Sequence, residues 1–138
     1  SVSCSRADGL AFDVLRKLQK SVYILSTERN PVITARAKKL KIPAIQSVNN
    51  KADGIKQLAK KEVFDLQKTL YIGNDLNDYH AMQLCGYTAC PSDSHNKIKE
   101  ISAIVLETTG GNGIVRELLE VFFQLDFMKI LYTKKEEK

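Results

Sequence analysis

The feature that most constrains this chain is the alternation of short apolar runs with stretches of helical period. Val22, Tyr23, Ile24 and Leu25 form one apolar run and Leu70, Tyr71 and Ile72 another, with shorter ones at 44–47, 87–89 and 103–106. Between them, apolar residues recur at three- and four-residue spacing: Leu10, Val14, Leu15 and Leu18, then Ile33, Ala37 and Leu40, then Ile55, Leu58 and Ala59. That spacing gives helices one buried face. Strands that are apolar throughout bury both of their faces, and a strand–helix–strand order sets successive strands parallel. The expected fold is therefore α/β, a parallel sheet flanked by helices on both faces. Ligands of such sheets bind beyond the carboxyl ends of the strands.

Local signals place the elements. Asp8-Gly9 suits the entry of the first helix. Asn30-Pro31 supplies a cap and a first-turn proline, and that helix must stop before Pro43. Further helices are expected over 51–61, 75–84, 94–100 and 113–125. One domain over 1–127 is expected, followed by a charged, disordered tail over 128–138 whose last five residues are Lys134, Lys135, Glu136, Glu137 and Lys138.

The 138 residues, 43% of them hydrophobic and 27% charged, are enough for one buried core. No apolar run approaches the ~18 residues of a membrane span, so no membrane partner is expected. The +5 charge comes from dispersed pairs such as Lys38-Lys39 and Lys60-Lys61. These read as solvated helix faces, and nucleic acid is not an expected partner. Cys4, Cys85 and Cys90 form no Cys-x-x-Cys pair, which fits a reduced, cytoplasmic setting.

Polar residues follow three of the expected elements where a parallel sheet holds its ligands. Ser26-Thr27 follows the first strand; Ser26 either satisfies the turn or hydrogen-bonds a phosphate oxygen. Lys51 opens a helix, where a cation opposes the macrodipole at a cost of roughly 0.3–1 kcal/mol. Either Asp53 neutralises it or another anion does. In Gly73-Asn74-Asp75-Leu76-Asn77-Asp78, oxygen donors gather that suit magnesium, and the same carboxylates also suit helix caps. Gly110-Gly111-Asn112-Gly113 leads into the last helix, as a plain entry or as an anion-receiving turn. His80 and His95 read as helix-surface residues.

Taken in order, Tyr23-Ile24-Leu25-Ser26-Thr27-Glu28, Lys51, Tyr71-Ile72-Gly73-Asn74-Asp75-Leu76-Asn77-Asp78 and Gly110-Gly111-Asn112-Gly113-Ile114-Val115-Arg116-Glu117 resemble the haloacid dehalogenase superfamily. The likeness is to its capless, Rossmann-like sugar-phosphate phosphatases. These include the 3-deoxy-manno-octulosonate 8-phosphate phosphatase group and the related domain at the C-terminal end of some acylneuraminate cytidylyltransferases. It covers roughly residues 5 to 125.

The resemblance implies Ser26, Thr27 and Lys51 as phosphate-binding residues, with Lys51 also steadying the nucleophile in catalysis. It implies Asn74, Asp75 and Asp78 as the Mg²⁺-facing loop, and Arg6, Asp8, Gly111 and Arg116 on the substrate side. It further implies a sugar-phosphate substrate and a homo-oligomer, a tetramer.

Such phosphatases attack phosphorus with an aspartate at the end of the first strand and use a second aspartate two residues on as acid and base. The eight aspartates here are 8, 13, 53, 65, 75, 78, 93 and 126, and no two are two apart. The expectation is a domain whose nucleophile-bearing strand lies upstream of Ser1 and which is inactive as this chain. The alternative is a non-catalytic oligomerisation domain of a sialic-acid-activating enzyme, motivated by the absent nucleophile and by Asn74 standing where the phosphatases usually carry an acid; Asn112, where they usually carry an arginine, is a further departure.

Overall fold

The computed structural model of the chain describes residues 6–46 and 48–133. The strands are β1 (Ile24–Leu25), β2 (Ala44–Ile45), β3 (Leu70–Ile72), β4 (Tyr87–Cys90) and β5 (Ile104–Val105). The helices are α1 (Arg6–Lys17), α2 (Pro31–Leu40), α3 (Lys51–Glu62), α4 (Tyr79–Leu84), α5 (Asn96–Ile101), α6 (Ile114–Glu117) and α7 (Phe127–Tyr132). Every pairing is parallel, as expected. The strands form two sheets, however, one of β1 and β2 and one in the order β3-β4-β5.

Capping explains most of the element boundaries. Asn30 Oδ1 accepts the Val32 N–H at 2.8 Å ahead of Pro31, and α2 ends where Lys41 turns left-handed at φ 58°. Asn50 Oδ1 accepts the Asp53 N–H at 3.1 Å to start α3. His95 Nδ1 accepts the Lys97 N–H at 3.1 Å, so this surface histidine caps α5, and the helix starts later than the expected 94. The expected helix over 113–125 is α6 followed by a π-helical turn, Leu118–Phe122.

The expected tail differs over its first part. Asp126 accepts the Lys129 N–H at 3.0 Å, and Phe127 is buried against the α1 core with Ile130 and Leu131 beside it, so 128–132 are helical. An apolar face outweighs the local charge there. Residues 134–138 lie outside the described residues.

Side chains alternate across β1 and β3 onto two cores. Ile24 and Ile72 pack on the side of α1, with Ala11, Phe12, Val14 and Leu119. Leu25 and Tyr71 pack on the opposite side, with Ile55 of α3, Met82 of α4 and Ile98 of α5. The chain thus has helices on both faces, and the carboxyl ends of β1 and β3 bring Ser26 and Gly73 to the same edge.

Candidate active site at the strand ends

Asp78 is the hub of the site. It sits in a 3₁₀ turn, Leu76–Asp78, directly after β3, and is 3% exposed. Its Oδ1 accepts from Lys51 Nζ at 2.9 Å and from the Tyr71 hydroxyl at 2.8 Å. Its Oδ2 accepts the Asn74 N–H at 3.0 Å and the Asp75 N–H at 3.3 Å. Both carboxylate oxygens are thereby engaged, which is how a buried charge is made tolerable. Gly73 is required for this closeness: a Cβ there would stand 2.7 Å from Asp78 Cβ and 2.6 Å from Met82 Sδ.

Lys51 occupies the first position of α3, and its anionic partner is Asp78. The sequence had offered Asp53 for that role; Asp53 instead donates its backbone N–H to the Asn50 cap. Within the described residues Lys51 Nζ spends one hydrogen bond on Asp78, and an ammonium carries three donors. Tyr71 was not among the expected site residues. Its hydroxyl is buried against the Asp78 carboxylate, and desolvation together with that negative charge pushes its pKa far above the ordinary phenol value. It serves as a fixed hydrogen-bond donor. An aromatic hydroxyl at the inward position of an apolar strand was the available signal.

Asn74 and Asp75 are exposed on the same loop. Asn74 accepts the His95 N–H at its backbone carbonyl, 2.9 Å, and Asp75 Oδ1 accepts the Leu76 N–H at 2.7 Å. The metal expectation therefore divides. The Asn74 and Asp75 side chains face solvent at the strand end, whereas both Asp78 oxygens are committed. Among the described residues no three His, Cys, Asp or Glu side chains gather as a metal site. The two exposed loop oxygens do not complete an octahedral site, and Mg²⁺ ordinarily draws its remaining ligands from water and substrate phosphate.

Ser26 is buried, accepts the Glu28 N–H at its Oγ and faces the Glu28 carbonyl, both at 3.1 Å. Its hydroxyl thus satisfies the turn after β1, while Thr27 is exposed beside it.

Asp8, Gly111 and Arg116, expected on the substrate side, gather around the start of α6. Asp8 is 2% exposed, and its Oδ1 accepts the N–H groups of Val115 and Arg116 at 3.0 and 3.1 Å. It therefore closes the start of α6 from α1. Burial raises its pKa, and these two bonds offset part of the rise. Arg116 pairs with Glu120 and lies 5.4 Å from the Phe127 ring centroid. Gly111 adopts φ 82° in the glycine-rich turn. That turn is tied down by Asp93, which accepts the Gly110 N–H at 2.8 Å. Glu117 accepts the N–H groups of Glu107 and Thr108 at 2.9 and 2.7 Å. Burial works to raise the Glu117 pKa, but its hydrogen bonds prevail and hold it below the ordinary value. The Arg6 side chain lies outside the described residues.

Parallel strands, helices on both faces and a lysine–aspartate pair beyond the strand ends describe an α/β domain with a charged cluster at its ligand-binding edge. Residues 13–118 match the haloacid dehalogenase-like hydrolase family, and the chain belongs to it. The chain is 29% identical over 118 residues to 3-deoxy-D-manno-octulosonate 8-phosphate phosphatase of Haemophilus influenzae, covering 85% of this chain and 66% of that protein. It is 24% identical over 141 residues to N-acylneuraminate cytidylyltransferase A of Danio rerio, covering 99% of this chain and 30% of that one.

Solved structures agree with these likenesses. A putative hydrolase of the family from Streptomyces avermitilis has a TM-score of 0.83 at 37% identity, with 87% of this chain and 69% of that one covered. The cobalt-bound octulosonate 8-phosphate phosphatase of Haemophilus influenzae gives 0.82 at 28%, covering 88% and 72%. The phosphatase of Moraxella catarrhalis, solved with magnesium, phosphate and the sugar, gives 0.81 at 28%, covering 93% and 71%. The domain has the fold of these hydrolases, and the chain spans about two thirds or less of the length of the curated relatives it matches.

Proposed function

We propose that this domain is the phosphate-gripping part of a phosphatase site for acidic sugar phosphates of the octulosonate or nonulosonate kind. The observation that carries the reading is the buried Lys51–Asp78–Tyr71 cluster at the carboxyl end of β3. It holds an ammonium with donors to spare at the edge where a parallel sheet binds anions. The likeness to the octulosonate 8-phosphate phosphatase supports the substrate class, and the likeness to the cytidylyltransferase supports an association with sialic acid activation.

In this reading Lys51 offers positive charge to the phosphoryl group, and Thr27, exposed at the end of β1, offers its hydroxyl beside Ser26, whose Oγ and N–H are held by Glu28 and Ile45 and keep the turn in place. Asn74 and Asp75 would contribute oxygens to a divalent cation, as the metal-bound relatives suggest. Further ligands must come from outside the described residues. When bound, such a cation supplies charge neutralisation at the phosphate.

The attacking carboxylate is not in this chain. Asp8, Asp65 and Asp126 cap helical turns, Asp13 pairs with Arg16, and Asp93 holds Gly110. Asp53 lies on α3, Asp75 points to solvent, and Asp78 is engaged. The chain is therefore inactive alone. Phosphate release from octulosonate and nonulosonate phosphates with Mg²⁺, measured on the full product of the reading frame, tests the proposal. Release that disappears in Lys51→Ala supports it, and an inactive full product overturns it.

A second reading, a non-catalytic module assembling a tetramer, draws on the exposed apolar residues Val121, Phe122, Phe123, Met128 and Tyr132 near the C-terminal end. Sedimentation at micromolar concentration decides it, and a monomer excludes it.

A further inference from the structure

The glycine-rich turn holds the chain's one asparagine that precedes a glycine, Asn112-Gly113. An asparagine side chain is open to attack at Cγ by the backbone nitrogen of the residue that follows it. The follower needs an N–H, that N–H must be free of other bonds, and no side chain should crowd it. The other six asparagines each fail one of these conditions. Asn30 precedes Pro31, which has no N–H. The followers of Asn74, Asn77 and Asn96 spend theirs: Asp75 on Asp78 Oδ2 at 3.3 Å, Asp78 on the Asp75 carbonyl at 2.9 Å and Lys97 on His95 Nδ1 at 3.1 Å. Asn49 and Asn50 are followed by residues that carry side chains, Asn50 and Lys51.

Asn112 meets all three conditions and is exposed. Gly113 adds no Cβ, and among the described residues its N–H has no hydrogen-bond partner, while its carbonyl accepts the Glu117 N–H at 3.0 Å. The amide nitrogen that would leave is held on Thr109 Oγ1 at 2.5 Å. Gly111 at φ 82° and Gly113 at φ 93° flank Asn112 with backbone that no side chain restrains. Asn112 and Gly113 line an open cavity of about 440 Å³ with Glu107, Arg116, Glu117 and Glu120, so water reaches the pair.

We propose that Asn112 is a self-modification site. The Gly113 nitrogen gives up its proton to hydroxide, bonds to Asn112 Cγ and expels ammonia, and water then opens the cyclic imide to aspartate or isoaspartate. The net change is water taken up and ammonia released, with no oxidant or cofactor. The product puts a carboxylate where a neutral amide stood, in a cavity that already holds three glutamates against one arginine. The isoaspartate form also adds a methylene to the main chain of a turn that is fixed on either side, at Gly110 by Asp93 and at Val115 and Arg116 by Asp8. Asp93 follows β4, and His95 donates to the Asn74 carbonyl, so the turn stands at the same strand-end edge as the Asp78 loop. A new carboxylate there disfavours a bound phosphate, a consequence that rests on the proposed function.

The test ages the folded chain in warm, mildly alkaline buffer made with heavy-oxygen water, then cuts it briefly with trypsin at Lys99 and Arg116 for mass spectrometry. In the fragment 100–116, Asn112 is the sole asparagine or glutamine, so a new acid there has one source. Expected are heavy-oxygen uptake and both aspartate and isoaspartate products. Conversion should run about tenfold faster than at the exposed Asn74 and Asn77, a barrier lower by ~1.4 kcal/mol. An Asn112 that stays intact in the folded chain for the time a synthetic copy of the fragment takes to convert overturns the proposal. So does conversion to aspartate without isoaspartate, or faster conversion at Asn74 or Asn77. In a separate arm, 3-deoxy-D-manno-octulosonate 8-phosphate should bind the aged chain and the Asn112→Asp variant more weakly than the fresh chain. Equal binding by converted and fresh chain overturns only the effect on phosphate. A fresh chain that binds no sugar phosphate overturns the proposed function, while the modification is decided by the mass spectra alone.

Discussion

Replacing Lys51 by Met should cost this fold far more than the loss of an ordinary surface ion pair. The Lys51 and Asp78 side chains are 12% and 4% exposed, so neither charge is well solvated. Met approximates the volume of the lysine stem but leaves the Asp78 carboxylate with one hydroxyl and two backbone donors and no counter-charge. Breaking a buried pair from one side costs about 3–5 kcal/mol. The lower figure is the better expectation here, because three hydrogen bonds to Asp78 survive. For a chain of this length, about 3 kcal/mol corresponds to a fall in Tm of roughly 10 °C. Asp78→Asn on top of Lys51→Met should restore part of the loss, because an amide needs no counter-charge. Urea denaturation of the two single variants and the double variant gives the coupling, expected at about 2 kcal/mol. A loss below about 1 kcal/mol for Lys51→Met, the range of an exposed pair, would refute the reasoning.

Three further outcomes follow from the geometry. Val63→Gly should raise stability by about 1 kcal/mol in thermal denaturation, because Val63 is a β-branched residue at φ 57° and 86% exposed, with little packing to lose. Asp8→Asn should flatten part of the stability–pH curve. Burial raises the folded Asp8 pKa, so the folded chain holds that proton longer than the unfolded chain, and this contribution falls as pH rises past about 3.9. An unchanged curve between about pH 4 and 7 in urea titrations would count against that account. In a Cys4→Ser background, Cys85 should alkylate slowly with iodoacetamide near neutral pH and faster as pH approaches 11, since burial pushes its thiol up to about 11. Rapid modification at pH 7 contradicts it.

Much of the architecture was legible because periodicity and caps act locally. Asn30-Pro31, the helix from Lys51 and the strand Leu70–Ile72 were all readable from neighbouring residues. The division into two sheets was not, since pairing depends on which strand lies beside which. Helix α7 was hidden because the lysines and glutamates that follow it mask the burial of Phe127.

At the site, the sequence singled out Lys51 and Asp78 separately. Their pairing across 27 positions is a tertiary fact, and so is the Tyr71 hydroxyl that completes it. The same holds for Asp8, which the sequence offered at a helix entry: its two bonds to Val115 and Arg116 span 107 and 108 positions and close a helix end.

Gripping a sugar phosphate without attacking it is the role proposed for this chain. Titration with 3-deoxy-D-manno-octulosonate 8-phosphate and Mg²⁺, followed by backbone amide shifts and by free phosphate in the same sample, tests both parts at once. The account predicts shifts concentrated at Ser26, Thr27, Lys51 and Asn74, with no phosphate released. Release of phosphate by this chain, or shifts confined to residues away from the strand ends, would contradict it.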